Sequence, residues 1–483
     1  MKKRQIRPTI VVLACVVTHN IHAQTPLLSS WQTQYSNGYA KVVQTTGGSA
    51  VSTWPSAGLP SMGGGQATPA YSDIQKIDYS TNWVYVKATG LASHQMGPWY
   101  QSTGAIFGNW PSNQKRTHRF PTVPNVPATK TTNGLGPLGL WVNGVALFNL
   151  LDGFSWNTQQ NREVNGTNNI WIRNAVVVES PTFDKSNAHQ PGNGQYHYHD
   201  NPLALRLQLN DNIIGNQTTG VYSEATSNLH HSPILGWAND GFPIYGPYGY
   251  SEPLNPNSGI RRIKSGFVLR DGSYGTVNLN TAGRHSLGQW AATLHGVSTT
   301  LATNQYGPNV SATYTLGRYV EDFDYLGNLG FTAGPNTFDL DIYNGRFYQT
   351  PDYPFGTYAY FVTIDASGAP AFPYVLGRQY YGSPTGNSVS AISEAVTTYV
   401  NAGPNTPIVG QYVIEGGNVS ITWLSIEGGV YRVEGQRTTG QWVTIASNIA
   451  SSGRKTKYSA TTATSRFVGF RAILTSTNAY DSF

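Results

Sequence analysis

Apolar and polar residues along most of this chain alternate in short runs at period two, the spacing of half-buried strands. Trp83–Ala88 alternates cleanly, and Thr357–Val362 follows a Pro/Gly-rich turn with the same period. Val142-Asn143-Gly144-Val145 places two β-formers around Asn-Gly and predicts a hairpin with a type I′ turn. Ile170–Glu179 predicts a strand whose Ala175–Val178 are buried, and Leu203, Leu205, Leu207 and Leu209 also recur at strand spacing. From Gln24 to about Ala70 the chain is polar and rich in Gly, Ser and Pro, which predicts a poorly structured lead-in with one strand near Tyr39–Gln44. Residues 383–406, rich in Ser and Asn, read as a boundary. Beyond them Gln411–Ile414, Asn418–Trp423, Gly429–Gly435, Trp442–Ala446 and Arg466–Ile473 predict a small sandwich of about 75 residues.

The expected fold class is therefore mainly β: a loop-rich, β-sandwich-like central domain plus a small C-terminal β-sandwich. The expected division is 1–23 leader, 24–76 lead-in, 77–382 central domain, 383–406 linker and 407–483 sandwich.

Composition supports a β protein and narrows its partners. Only 11% of the 483 residues are charged. The net charge of +6 overstates the body's basicity, because Lys2, Lys3, Arg4 and Arg7 all precede residue 24. Subtracting those four from 30 leaves 26 bases against 24 acids, so nucleic acid is not an expected partner. The basic run Lys115–Arg119 lacks interleaved aromatics and reads as a solvated strand face, with His118 and His94 at the surface. The first 23 residues, a basic start, the apolar run Thr9–Val17 and Ile21-His22-Ala23, have the form of a secretory signal cleaved near Ala23. Lipid anchoring at Cys15 is the competing reading, with a short apolar run before it. Cys15 is the single cysteine, so a chain cleaved at Ala23 has no disulfide and no thiolate ligand. No later segment is apolar for long enough to span a bilayer as a helix. The expected location is secreted or at the cell surface.

The candidate chemistry lies between His189 and Pro247. Five of the eleven histidines fall from His189 to His231. In Tyr196-His197-Tyr198-His199 a strand turns both imidazoles to one face and both phenols to the other. His197 and His199 are the leading metal ligands, then His189 and His231; His230, Asp200, Asp240 and Tyr245 are supporting or alternative ligands. Without cysteine only nitrogen and oxygen donors remain, which suits zinc, copper or iron. The bland reading is a hydrogen-bonded core of His and Tyr, and His285 and His295 read as structural. Glu321, Asp322, Asp324, Asp339 and Asp341 are consistent with a calcium site or an acid/base pair, but Asn344 stands where an EF-hand needs Gly. Ion pairs with Arg318 or Arg346 are the favoured reading. No nucleophile elbow, HExxH motif or phosphate-binding glycine loop occurs.

Residues from about Trp83 to Gly382 resemble the YHYH-domain proteins, exported proteins named for the tetrapeptide at 196–199. Several separated motifs agree in order, among them Gly97-Pro98, Val142-Asn143-Gly144, His189 with Gly194, His231–Gly236, Asp240–Pro247, Tyr319–Asp322, Asn344–Phe347 and Gly356–Phe361. The resemblance implies the domain and not a reaction. Members of that family often have cysteines near the positions of Ser186, Ala204, Tyr343 and Tyr348; their absence here, with the histidines kept, implies staples and not ligands. The tail from about Thr406 resembles a fibronectin-type-III-like accessory module, through Ser420–Trp423 and Val430–Val433.

Two functions of different class follow. The first is metal binding at the histidines, with oxidative or hydrolytic chemistry as its extension. The second is a surface module for glycans or cell-wall polymers with purely structural histidines; an outright scaffold is a third.

Overall fold

The computed structural model describes residues 26–31, 38–56, 64–401, 407–409, 411–415, 418–425, 429–451, 455–461 and 467–476. The leader and the Cys15 reading lie outside these residues. Two sheets carry the central part. The larger has eight strands in the order Ala188–His189, His197–Tyr198, Ala146–Phe148, Pro137–Trp141, Ile234–Ala238, Pro243–Tyr245, Thr357–Phe361 and Gly345–Tyr348. Its neighbours are antiparallel except at two places, where His197 pairs with Ala146 and Ile244 with Tyr360 in parallel. The second sheet orders Asn387–Val389, Arg116–Pro121, Trp83–Ala88, Ile74–Tyr79 and Thr397–Asn401, all antiparallel.

The two sheets share one core. Ile77, Val84, Val86 and Phe120 of the second sheet join Trp141, Leu147, Trp237, Ile244 and Phe361 of the first in a single buried cluster. Each fully buried aliphatic or Phe side chain of this kind contributes about 1.5–3 kcal/mol. At the predicted hairpin the larger sheet packs directly on the second sheet. Gly144 has φ 76°, and a Cβ there would lie 2.4 Å from the Ala88 Cβ. Among the described residues the mainly β expectation is met, with several sheets and few helices.

Local departures have plain causes. At the hairpin only Gly144 takes positive φ, so the turn is not the type I′ form, which needs it at Asn143 too. Leu203–Gln208 is a helix. Its leucines recur at alternate positions, but Arg206 is buried between them by Asp211 and Glu224, an arrangement a strand pattern does not anticipate. The run Ile170–Glu179 forms a strand only over Ile172–Asn174 and then turns helical at Ala175–Glu179, leaving Val177 exposed. Helix termination follows at Pro181, inside the single turn Ser180–Thr182. The lead-in contributes buried Trp31, Val42 and Trp54. The stretch read as a linker supplies the two edge strands of the second sheet. His94 and His118, expected at the surface, are buried at 1% and 3% exposure. The basic run around His118 is an interior strand of its sheet, between Trp83–Ala88 and Asn387–Val389.

The C-terminal strands form sheets of four and three, with Val419, Ile421, Trp423, Tyr431, Val433, Phe470 and Leu474 in the core between them. Tyr71, stacked on Tyr39 at 4.6 Å, packs into that core. Among the described residues no helix is long and apolar enough to cross a membrane.

Candidate metal centre

Two neighbouring strands at one edge of the larger sheet bring the histidines together. Ala188–His189 runs antiparallel to His197–Tyr198 with His189 directly opposite His197, so their side chains are nearest neighbours on one face. The connecting loop turns through Gly194 at φ 73°, where a Cβ would meet Ser112 Oγ at 2.5 Å. The turn before His189 is tied by Asp184, which accepts from the Ser186 and Ala188 amides and from the Tyr196 hydroxyl. His197 and His199 share a face as the alternation requires, with ring centroids 4.8 Å apart. Tyr196 and Tyr198 lie on the other face, where Tyr198 meets His94 Nε2 at 2.5 Å.

The fourth member comes from the helix Ala175–Glu179. Its last residue puts Glu179 Oε2 3.0 Å from His189 Nε2 and 3.1 Å from His199 Nε2. His197 Nε2 is 3.0 Å from His199 Nε2. One ligand atom from each of Glu179, His189, His197 and His199 falls within 4.8 Å of the others. Four donors around a tetrahedral zinc at its usual bond lengths lie about 3.3 Å apart.

The opposite ring nitrogens decide what these donors present. His197 Nδ1 is 2.9 Å from the Gln195 carbonyl and His199 Nδ1 is 2.5 Å from the Asn149 carbonyl. A carbonyl only accepts, so both Nδ1 atoms carry the proton. His189 Nδ1 is 2.7 Å from Thr182 Oγ1, whose own proton goes to the Glu179 carbonyl at 2.7 Å. With its proton placed there, that hydroxyl can accept from His189 Nδ1. In this proton arrangement, and when the rings are neutral, the three Nε2 lone pairs turn toward one another and toward a carboxylate oxygen.

Burial and charge act in the same small volume. Burial works to lower the His199 imidazole, but the Glu179 carboxylate outweighs it and holds the group above its ordinary value. His189 is lowered by burial against the pull of Glu179, and His197 is pushed well down by burial and by the neighbouring imidazoles. Burial would raise Glu179, yet His199 and His189 hold it well below the carboxylate range. Behind Glu179 stands Asp152, raised to about 7 by burial and by its hydrogen bond to Glu179. Asp152 is paired with Arg173, which also reaches Glu163 at 3.0 Å. Three phenylalanines wall the site: Phe148 stacks on His197 at 3.9 Å, Phe183 on His199 at 5.9 Å and Phe107 on His189 at 6.1 Å. Glu179, with a side chain 21% exposed, is more open to solvent than His189 or His199.

The remaining candidates lie elsewhere or in other roles. His231 sits among Tyr245, Tyr250 and Tyr348 rings and donates to its neighbour Ser232's carbonyl. His230 is exposed, with Nε2 2.7 Å from the Asn210 carbonyl. Asp240 fixes a turn, accepting from the Tyr360 hydroxyl at 2.6 Å and from the Gly382 and Phe242 amides. Tyr245 is buried against Thr350 and Asp352. Asp200, next to His199, is buried and raised to about 7 by burial, and its charge adds to the pull of Glu179 on His199. Phe242, Tyr245 and Tyr248 are buried and present no aromatic surface. His295 pairs with Glu321 at 3.0 Å, and His285 stacks on Tyr306.

Most of the acidic segment is taken up by ion pairs, while Asp341 accepts from the Tyr358 hydroxyl and the Tyr343 and Gly345 amides. Asp322 forms a two-pronged pair with Arg284, Asp339 pairs with Arg261 and Arg346, and Asp324 pairs with Arg270. Glu179 is the residue the pattern did not single out. Its signal was a lone acid ending an apolar run in an acid-poor chain, and reading that run as a strand hid the turn that delivers it.

No curated protein and no solved structure matches the chain. A family model described as YHYH protein matches residues 117–374, which is 258 of 483 residues and includes all four converging side chains. The tetrapeptide, the histidine opposite it and the fold around them thus fall within one family domain, and this chain belongs to the YHYH protein family.

Proposed function

We propose that this protein binds one transition-metal ion through Glu179, His189, His197 and His199. The observation that carries the reading is the convergence of three Nε2 atoms and one carboxylate oxygen, with main-chain carbonyls behind His197 and His199 holding their Nδ1 protons. With the Nδ1 protons of His197 and His199 committed outward, their neutral rings bring acceptor against acceptor at 3.0 Å between themselves and at 3.1 Å with Glu179. One proton on His199 relieves its contact with Glu179 or with His197. A cation at the centre relieves all of them together. Thr182, Asn149 and Gln195 would orient the rings from behind, and Asp152 would hold the carboxylate. Three nitrogens and one oxygen suit zinc, copper or iron. A bound ion would supply Lewis-acid or redox chemistry from a site walled by Phe107, Phe148 and Phe183. The leader-like N-terminus fits an exported protein, and the C-terminal sheets fit a fibronectin-type-III-like accessory module.

The test is a zinc titration of the full chain against a competing chromophoric chelator. Tight one-to-one binding near neutral pH, lost on acidification as the imidazoles take protons, is the expected result. Binding that survives replacement of His197 and His199 by Ala would refute this ligand set.

A further inference from the structure

We propose a second, metal-independent site: the large cleft between the two sheets binds a neutral oligosaccharide. It lies where the turn Ser80–Asn82 and the edge strand Thr397–Asn401 of the second sheet meet the Trp237–Pro243 end of the first, and Pro26, Leu27 and Leu28 of the helix Pro26–Ser29 add to its wall. Its volume is 1040 Å³, at the top of the roughly 300–1,000 Å³ range of small-molecule pockets. That is room for several sugar rings and not for a bare ion.

The lining names the chemistry. No Lys, Arg or His contributes to it, and Glu394 is its single charged residue among those described. A phosphate or an acidic polymer would meet a carboxylate and find no compensating cation, so an anionic ligand is disfavoured. Three half-buried tyrosines, Tyr79, Tyr353 and Tyr399, line the walls among neutral hydrogen-bonding groups that include Ser80, Asn82 and four threonines. Aromatic surface takes the C–H faces of a pyranose, and hydroxyl and amide groups exchange hydrogen bonds with its hydroxyls. Ser80, Thr122 and Thr357 already bond within the chain, so a purely apolar ligand would be disfavoured chiefly by desolvating the Glu394 carboxylate and the Asn82 amide.

Glu394 is held ready to accept. Its Oε1 takes hydrogen bonds from the Tyr85 hydroxyl at 2.5 Å and from Ser80 Oγ at 3.0 Å. No described residue pairs with Oε2. A carboxylate fixed by one oxygen and open at the other is an acceptor for sugar hydroxyls. None of the four residues of the candidate metal centre lines this cleft, so the two sites stand or fall separately.

The experiment is calorimetric titration of the full chain with four neutral tetrasaccharides: cellotetraose, maltotetraose, mannotetraose and chitotetraose. Saturable binding of at least one is expected, unchanged by excess chelator, by raised salt or by the His197→Ala/His199→Ala substitutions. Glu394→Gln, a change at an exposed side chain, and Tyr353→Ala should each weaken it about tenfold or more, the scale of one lost hydrogen bond or stacking contact. Folded protein that binds none of the four would overturn the proposal. So would binding that both variants leave unchanged, or that disappears with salt as an ionic ligand's would.

Discussion

Thr182→Val tests whether the hydroxyl behind His189 sets that ring's tautomer, at the one histidine where a side chain can be exchanged. His197 and His199 are oriented by main-chain carbonyls, whereas His189 depends on a side-chain hydroxyl at 2.7 Å. Valine keeps the volume and removes that acceptor. The imidazole then moves its proton from Nδ1 to Nε2, where Glu179 Oε2 lies 3.0 Å away as a ready acceptor. The empty site gains that bond in place of the lost one, so the empty protein gives up only the Thr182 bond to the Glu179 carbonyl, about 1 kcal/mol. The loaded site must first strip the proton from Nε2. Loss of such an orienting partner typically costs 10–100-fold in metal affinity, or about 1.4–2.7 kcal/mol. The assay is zinc affinity by chelator competition, with thermal melts of the empty and loaded chains, and Thr182→Ser as the variant that restores the hydroxyl. Zinc binding by Thr182→Val as tight as the parent's would refute this role for the hydroxyl. An empty chain destabilised as much as the loaded one would refute it equally.

Other parts of the molecule make equally definite predictions. Asp322→Asn breaks a fully buried pair in which both oxygens face Arg284, at 2.7 and 2.8 Å; it should cost about 3–5 kcal/mol in urea unfolding. Added calcium should leave the parent's melting temperature unchanged, because Asp322, Asp324 and Asp339 already have arginine partners and Asp341 is held by the Tyr358 hydroxyl and two amides. His118 is held down at about 4, chiefly by burial and against the pull of its bond to Asn239. A depressed imidazole contributes stability that is present above its unfolded value of 6.5 and lost as pH falls through 4. Between pH 7 and pH 4 the parent should therefore lose about 3 kcal/mol more than His118→Gln. Parallel urea-stability curves for the two proteins would show that His118 is not the group responsible.

Much of this architecture was legible from period-two patterning, because strands buried on one face write their environment into every second residue. Trp83–Ala88 and Thr357–Phe361 are strands where the alternation places them. The tetrapeptide at 196–199 turned its imidazoles to one side for the same reason, although ladder pairing persists there for only two residues, His197 and Tyr198. What pattern could not supply was the tertiary reach. Ala175–Val178 reads as a buried strand because β-branched residues favour one, yet Leu150's carbonyl takes the Ala175 amide and the chain turns helical, carrying Glu179 to the histidines. His231 falls near the cluster in sequence, but Ile234–Ala238 lies three strands away from His197–Tyr198, which carries it off to a tyrosine-lined site. The edge strands 387–389 and 397–401 were hidden by polar composition. Edges need not be apolar, since one of their sides faces water.

The most direct test of the central claim is metal content, by plasma mass spectrometry, of the full chain purified without a histidine tag, beside its His197→Ala/His199→Ala variant. Near-stoichiometric zinc, copper or iron in the parent and none in the variant is the expected result. A folded parent that carries no metal and takes up none of the three when they are supplied would contradict it.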